Sequence, residues 1–114
     1  MKVTAVRDAL LAVLPEDTYH YKADPKKSAR YVVWGETGQD TGLSADDHPQ
    51  DVVIRGEVWY YTKAEYDATV NRICAAMSAA GISWTITEIG YDDDLSQIVY
   101  GFAWEVVCGA FEIY

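Results

Sequence analysis

The sequence predicts a single α+β domain in which two helices pack on one face of a mainly antiparallel or mixed sheet. Residues 62–81 carry apolar side chains three and four residues apart, the spacing that lines one face of a helix. The flanking stretches 51–62 and 97–107 alternate in the manner of strands. At 114 residues the chain has the length of one domain, 1–114, with one core.

The predicted elements follow one another in the order α-β-β-β-α-β-β, which is typical of an α+β domain. They are a helix at 4–14, short strands at 18–21 and 29–34, a long strand at 51–62, a helix at 62–81, and strands at 82–89 and 97–107. The strands at 18–21 and 29–34 are expected to pair as an antiparallel hairpin with a longish connection.

The second helix is predicted to have both ends marked in the sequence. Thr62 and Glu65 have the spacing of a capping box, and Tyr61 and Tyr66 have that of a hydrophobic staple. Gly81 follows the last periodic residue, where a left-handed cap is easiest. These signals predict that the helix begins directly after the long strand.

The predicted core joins one face of this helix to one face of the sheet. Its members are Val70, Ile73 and Met77 from the helix and Trp84, Phe102 and Trp104 from the strands. On the opposite face of the last strand, Gly101 and Ala103 are small, so a helix is expected to find room there. Gly56 in the long strand predicts a bulge or a bend.

Residues 35–50 are predicted to form one long flexible loop. The stretch holds glycines and carboxylates and has Leu43 as its one strongly apolar residue. Loops of this length in a compact domain are usually functional or disordered. We therefore expect this segment to be mobile in the free protein and to order on a partner.

The charge balance excludes one broad class of function. With 18 acidic and nine basic residues the net charge is −9, which opposes binding to nucleic acid through phosphate neutralisation. Cys74 and Cys108 fall in predicted core elements, so both are expected to be buried, reduced and slow to react. No signal peptide or membrane-spanning run is evident, which predicts a soluble protein that is intracellular at synthesis.

No group of residues has the pattern of a catalytic, cofactor or metal site. The three adjacent carboxylates at 92–94 lack the alternating ligand positions of a calcium loop. Asp46 and Asp47 beside His48 in a loop are weak grounds for a metal site. The serines lack a nucleophile-elbow context, and no glycine-rich phosphate loop occurs. We expect no enzymatic activity and no cofactor.

The aromatic strand patterns resemble those of one family of phage proteins. They are YVVWGE at 31–36, GEVWYYTK at 56–63, GISW at 81–84, YDDD at 91–94 and YGFAWEV at 100–106. Together they resemble the small tail-completion or minor capsid proteins of siphophage and prophage head–tail gene clusters. The element order is similar to that of the tail terminator fold. The resemblance covers residues 31–107.

The resemblance implies a ring subunit, typically of a hexamer, that stops growth of the tail tube and meets the head connector. Its partners would be further copies of itself, tail-tube proteins and head-connector proteins, with no sequence-specific nucleic acid and no membrane. It would act in the host bacterial cytoplasm during assembly and then at the head–tail junction of the virion. DNA passes through such a ring, and acidic lumen walls would repel its phosphates.

Under this interpretation, subunits are expected to meet through the strand at 51–61 or through the C-terminal strand, because an unpaired strand edge accepts a neighbour. The candidate interface and lumen residues are Asp46, Asp47, Trp59, Tyr61, Asp92, Asp93, Asp94, Phe111 and Tyr114.

Two other classes of function stay open on the sequence. A small intracellular protein-binding module of the adaptor or immunity type could also be acidic and rich in aromatic residues. A monomer at high concentration would favour that class over a ring. An enzyme that uses Cys74 or the turn at 92–94 is the second alternative. Thiol labelling of the native protein or a metal-dependent shift in melting temperature would support it.

Overall fold

Five strands form one mixed sheet, and two helices lie against one of its faces. The computed structural model describes residues 1–40 and 51–114. The elements are α1 Thr4–Val13, β1 Thr18–His20, β2 Tyr31–Asp40, β3 Asp51–Thr62, α2 Thr69–Ala79, β4 Ser83–Asp92 and β5 Gln97–Gly109. This confirms the predicted fold class and the predicted order of elements.

The long strand β3 lies at the centre of the sheet. The strand order is β1-β2-β3-β5-β4, and β3 is antiparallel to both β2 and β5. The strand β4 is antiparallel to β5 and forms one edge of the described sheet, while β1 forms the other. The prediction that the strand at 51–61 or the C-terminal strand offers a free edge is therefore wrong, because β3 and β5 are paired on both sides.

The first two strands run parallel, so the predicted antiparallel hairpin is also wrong. Thr18 pairs with Val32 and His20 pairs with Trp34 in the same direction. The segment 21–30 is long enough to carry the chain back to the level at which β1 began, whereas a hairpin needs only a tight turn.

The strand β2 continues into the region predicted as a loop. Gln39 pairs with Ile54 and Asp40 with Val53, so residues 36–40 belong to the sheet. The register shifts between Glu36 and Gly38, which places the irregularity on β2, opposite Gly56. Residues 41–50, with the candidates Asp46 and Asp47 and the rest of the predicted loop, lie outside the described residues.

The second helix begins at Thr69 and not at Thr62. Thr62 is the last residue of β3, and its hydroxyl accepts the N–H of Ala64 at 3.1 Å, which stabilises a turn. Tyr66 has a φ of 54° and is 96% exposed, so no hydrophobic staple forms. The Asp67 carboxylate accepts the Thr69 N–H at 2.9 Å and so caps the first turn of α2 in place of the predicted capping box.

The core lies between the helices and one face of the sheet, as predicted. Val70, Ile73 and Met77 pack in one cluster with Phe102 and Trp104, and the half-buried Trp84 packs against that cluster. The same cluster includes Val3, Val6 and Leu10 of α1. The indole N–H of Trp104 donates to the Glu57 carbonyl at 3.1 Å, so this fully buried ring keeps a hydrogen bond.

Candidate interaction surfaces

The face of the sheet opposite the helices carries a tryptophan where a third layer was expected. Val33, Trp59 and Gly101 lie side by side on β2, β3 and β5. A Cβ at Gly101 would lie 2.6 Å from Cζ3 of Trp59, so the indole rests directly on the glycine. The predicted helix on this face is absent from the described chain, because the Trp59 ring fills the space that Gly101 leaves.

Hydrogen bonding and stacking hold the aromatic rings of this face in place. The indole N–H of Trp59 donates to the Glu57 carboxylate at 3.0 Å. The ring of Tyr61 stacks on the ring of Tyr31, with centroids 4.7 Å apart and planes 15° apart. Such rings lose little conformational freedom when a partner packs against them, which suits a binding surface.

Two hollows lie on either side of the Trp59 ring. The larger has a volume of about 390 Å³ and is lined by Trp59, Tyr61, Glu88, Gly90, Tyr91, Asp92 and Val99. The smaller, of about 190 Å³, is lined by Tyr21, Val33, Trp34, Gly35, Glu36, Thr37, Glu57 and Trp59. The structure thus brings together three of the candidate residues, Trp59, Tyr61 and Asp92, in the larger hollow.

The larger hollow is electronegative. Burial raises the pKa of Tyr61, and the nearby carboxylates of Asp92 and Glu88 raise it further. Glu88 and Asp92 are the acidic residues of the lining, which holds no lysine or arginine. The hollow therefore suits an apolar or cationic group of a partner, and it opposes phosphate.

The outer strand β4 exposes apolar side chains on the face of the sheet opposite this hollow. Ile89 and Tyr91 are each 62% exposed, and Ile86 and Leu95 are also exposed. The register of β4 shifts between Ile86 and Glu88, so Ile86 pairs with Phe102 and Ile89 pairs with Tyr100. Since Phe102 and Tyr100 share a face of β5, the bulge puts Ile86 and Ile89 on one side of β4.

Sequence reasoning missed this apolar edge. A regular alternation places residues three apart on opposite faces, and β4 was predicted to end at Ile89, with a turn from Gly90 onwards. Because the strand instead continues to Asp92, Tyr91 joins Ile86 and Ile89. A bulge has no reliable signature in a single sequence, so the pattern alone could not have revealed this edge.

The candidate carboxylates Asp93 and Asp94 lie in the exposed turn between β4 and β5. Asp92 Oδ1 accepts the Leu95 N–H at 3.1 Å and stabilises that turn. Within residues 1–40 and 51–114, no three His, Cys, Asp or Glu side chains are placed to hold a metal ion.

The candidates Phe111 and Tyr114 lie in a tail that folds back after β5. The N–H of Val3 donates to the Ile113 carbonyl at 2.8 Å, and the Tyr114 hydroxyl donates to Glu36. Phe111 is fully exposed. The structure therefore separates these two residues, since Tyr114 is engaged within the subunit and the Phe111 ring is open to a partner.

Glu36 connects the tail to β1 as well. Its second carboxylate oxygen contacts Nε2 of His20, whose ring stacks on Trp34 at 4.1 Å between centroids. Burial acts to raise the pKa of Glu36, but the hydrogen bonds from Tyr114 and His20 outweigh burial and lower it. The bond to Glu36 also raises the pKa of Tyr114 to about 12.

Both cysteine thiols are free. Cys108 is buried in the core cluster as predicted, but the predicted burial of Cys74 is wrong, because this side chain is half-buried on α2 beside the cluster. Burial raises the pKa of each thiol, which disfavours the reactive thiolate. Their predicted slow reaction in the native protein stays a prediction.

Comparisons with known proteins found a solved structure that contains a chain of similar fold. No protein-family model matches the chain, and no curated protein matches it. The chain is similar to a chain of a solved structure described as the virion of a native gene transfer agent particle. The sequences are 16% identical, the TM-score is 0.61, and the alignment covers 91% of each chain. In the described residues no helix is long and apolar enough to cross a membrane. At that identity the likeness shows that the two chains share a fold.

Proposed function

We propose that this chain is a structural subunit of a phage or phage-like particle and has no enzymatic activity. The observation that carries this proposal is the shared fold with a chain of a gene transfer agent virion, which extends over 91% of both chains. Because the likeness extends over nearly the whole length, the helices and strands of the two chains correspond throughout. The likeness is therefore not limited to one common supersecondary motif. The resemblance of residues 31–107 to tail-completion proteins supports the same class by a separate route.

Within that class, we assign the chain to the end of the tail tube, as a tail terminator or head–tail joining subunit that forms a ring. The outer edge of β4 supports assembly, because a long unpaired edge with exposed Ile89 and Tyr91 is a surface that accepts another chain. The rigid rings of Trp59 and Tyr61 on the opposite face of the sheet offer a second contact area. Tail-tube and head-connector proteins are the proposed partners.

The acidic charge of the chain supports this assignment. DNA that crosses a ring must move without being held, and a wall of carboxylates repels its phosphates. The side chains of Asp93 and Asp94 are exposed in their turn and can contribute to such a wall. We place this turn on the lumen side of the ring or against the tube.

The test is deletion of the gene in the parent phage or prophage, followed by complementation. We expect intact heads together with tails of irregular length that do not join them, and rescue by the unaltered gene. Normal tails and full infectivity after deletion would contradict the proposal. A complementing copy with Cys74→Ser, Asp93→Glu and Asp94→Glu should restore normal tails, because it keeps the charge of the turn and no reaction depends on the replaced groups. Failure of this folded variant to rescue would contradict the lack of enzymatic activity.

A further inference from the structure

The strand β4 has one feature that protects a sheet edge, the bulge between Ile86 and Glu88, and it lacks the others. Natural edge strands are short, carry lysine or proline, or are covered. From Ser83 to Asp92, β4 is ten residues long and contains neither lysine nor proline. Its outer side is unpaired in the described sheet, and Ile86, Ile89 and Tyr91 are exposed along it. Such an edge is suited to pairing with another chain.

The basic residues of the chain are confined to its first 72 residues, and the charged residues after them are all acidic. All nine lysine and arginine residues lie at or before Arg72. After that residue the charged side chains are all acidic: Glu88, Asp92, Asp93, Asp94, Glu105 and Glu112. Every charged side chain of β4, β5, the turn between them and the tail is therefore acidic.

A basic segment begins after β1, at the opposite edge of the sheet, and ends beside the β4–β5 turn of the same copy, where the Ala29 carbonyl accepts the side-chain N–H of Gln97 at 2.6 Å. The connection from β1 to β2, residues 21–30, contains Lys22, Lys26, Lys27 and Arg30. Arg30 pairs with Asp67 at 3.3 Å, and Lys27 lies 5.2 Å from the centre of the Tyr31 ring. The side chains of Lys22 and Lys26 are exposed and form no ion pair within residues 1–40 and 51–114.

This charge division decides between two ways in which copies could meet. A two-fold pairing of β4 with β4 would bring Glu88 and Asp92 of each copy close to the same carboxylates of the other, and like charges across a strand pair are destabilising. A head-to-tail contact would instead bring carboxylates against lysines. It also uses a different surface on each partner, and repetition of such a contact gives rings or filaments.

We infer that copies of this chain associate head to tail, with the acidic outer edge of β4 in one copy against the basic 21–30 segment of the next. This inference rests on the proposed ring and names the surfaces that form it. Lys22 and Lys26 of one copy face Glu88 and Asp92 on the β4 edge of the other, and the turn with Asp93 and Asp94 stays outside the contact. Ile89 and Tyr91 lose water in the contact, and the outer backbone of β4 gains hydrogen-bond partners.

The test mixes two variants of the full chain. The β4 variant carries Glu88→Lys and Ile89→Lys, and the segment variant carries Lys22→Glu and Lys26→Glu. All four side chains are exposed, so both variants should melt at the temperature of the unaltered chain. A control with Lys2→Glu and Arg72→Glu makes the same change in net charge as the segment variant, away from both surfaces. Sedimentation velocity reports the size of each protein and of the mixture.

A head-to-tail contact predicts that each variant alone associates ~10-fold or more weakly than the unaltered chain, because each has one damaged surface. The mixture should regain association, since the intact β4 edge of the segment variant meets the intact segment of the β4 variant. The control should associate like the unaltered chain. Any of three results would overturn the inference. The segment variant could associate normally, the mixture could stay monomeric, or the unaltered chain could stay monomeric at its highest soluble concentration.

The two proposals can fail separately. Irregular tails after gene deletion together with a monomeric mixture would leave the proposed function standing and remove these surfaces. Association of the mixture together with normal tails after deletion would leave the head-to-tail contact standing and remove the role in the tail.

Discussion

Asp67 is the residue on which the junction between β3 and α2 depends. Its carboxylate accepts hydrogen bonds from the Tyr60 hydroxyl at 2.6 Å and the Thr62 hydroxyl at 2.8 Å. It also accepts the Thr69 N–H and lies 3.3 Å from Nε of Arg30. One side chain, 5% exposed, thus joins the end of the central strand, the start of the helix and the basic 21–30 segment.

These contacts set the ionisation of both partners. Burial acts to raise the pKa of Asp67, but the hydrogen bonds from Tyr60, the Thr69 backbone and Thr62 outweigh burial and hold it well below its usual range. Burial raises the pKa of Tyr60 to about 12, and its bond to Asp67 adds to the effect. The ionised carboxylate is therefore the form that the folded state prefers.

We predict that Asp67→Asn lowers the free energy of unfolding at neutral pH by roughly 1.5–3 kcal/mol, the usual scale for hydrogen bonds to a charged group. The loss should depend on pH. Since the folded-state pKa is depressed, the stabilisation is present above the unfolded-state pKa of about 4 and disappears as pH falls towards the folded-state pKa. The difference between the two proteins should thus shrink below about pH 4.

Denaturant unfolding at several pH values measures this difference. Asp93→Asn is the matched control, because the same chemical change in an exposed turn should alter stability by less than about 0.5 kcal/mol. An Asp67→Asn protein as stable as the unaltered chain at pH 7 would show that the four contacts contribute nothing net.

At the scale of elements, hydrophobic periodicity predicted which residues form the core, but it did not predict where the helices and strands begin and end. The spacing of Val70, Ile73 and Met77 identified the buried face of α2 correctly. The predicted start at Thr62 failed because Thr62 and Asp67 bind each other, and local side-chain hydrogen bonds compete with helix formation. A capping box and a turn of this kind present nearly the same residues in sequence.

The sequence also failed to predict how the strands pair. The direction of β1 depends on where α1 delivers the chain, and the Thr18 hydroxyl donates to the Leu14 carbonyl at 2.7 Å to fix that direction. The free edges depend on the order of all five strands, which alternation within one strand does not specify. For these reasons Trp59, Tyr61 and Asp92 could be chosen from the sequence, while the edge residues Ile89 and Tyr91 could not.

We predict that Ile73→Ala destabilises the protein by roughly 2–5 kcal/mol, because this side chain is fully buried between α2 and the sheet and its loss leaves a cavity. Asn71→Ala, two residues earlier on the exposed side of the same helix, should change stability by less than about 0.5 kcal/mol. Chemical denaturation of both variants gives the comparison. A cost below about 1 kcal/mol for Ile73→Ala would contradict the assigned packing of the helix.

At the scale of the whole molecule, two electrostatic effects oppose each other during assembly. The net charge of −9 makes copies repel one another at long range. The proposed contact between the β4 edge and the 21–30 segment attracts at short range. The two effects differ in reach, so ionic strength separates them: the screening length falls from about 30 Å at 0.01 M to about 10 Å at 0.1 M and about 3 Å at 1 M.

We therefore predict that association passes through a maximum near 0.1 M salt, where repulsion between whole copies is screened while charges in direct contact still attract. At about 0.01 M the repulsion acts across the whole subunit, and at about 1 M the contact itself is weakened. Sedimentation velocity at these three ionic strengths measures the effect. The Lys22→Glu, Lys26→Glu variant should lose the maximum and associate more with every increase in salt, because only repulsion and apolar contact remain. A steady increase for the unaltered chain would mean that Ile89, Tyr91 and the backbone of β4 hold the copies together without help from charge.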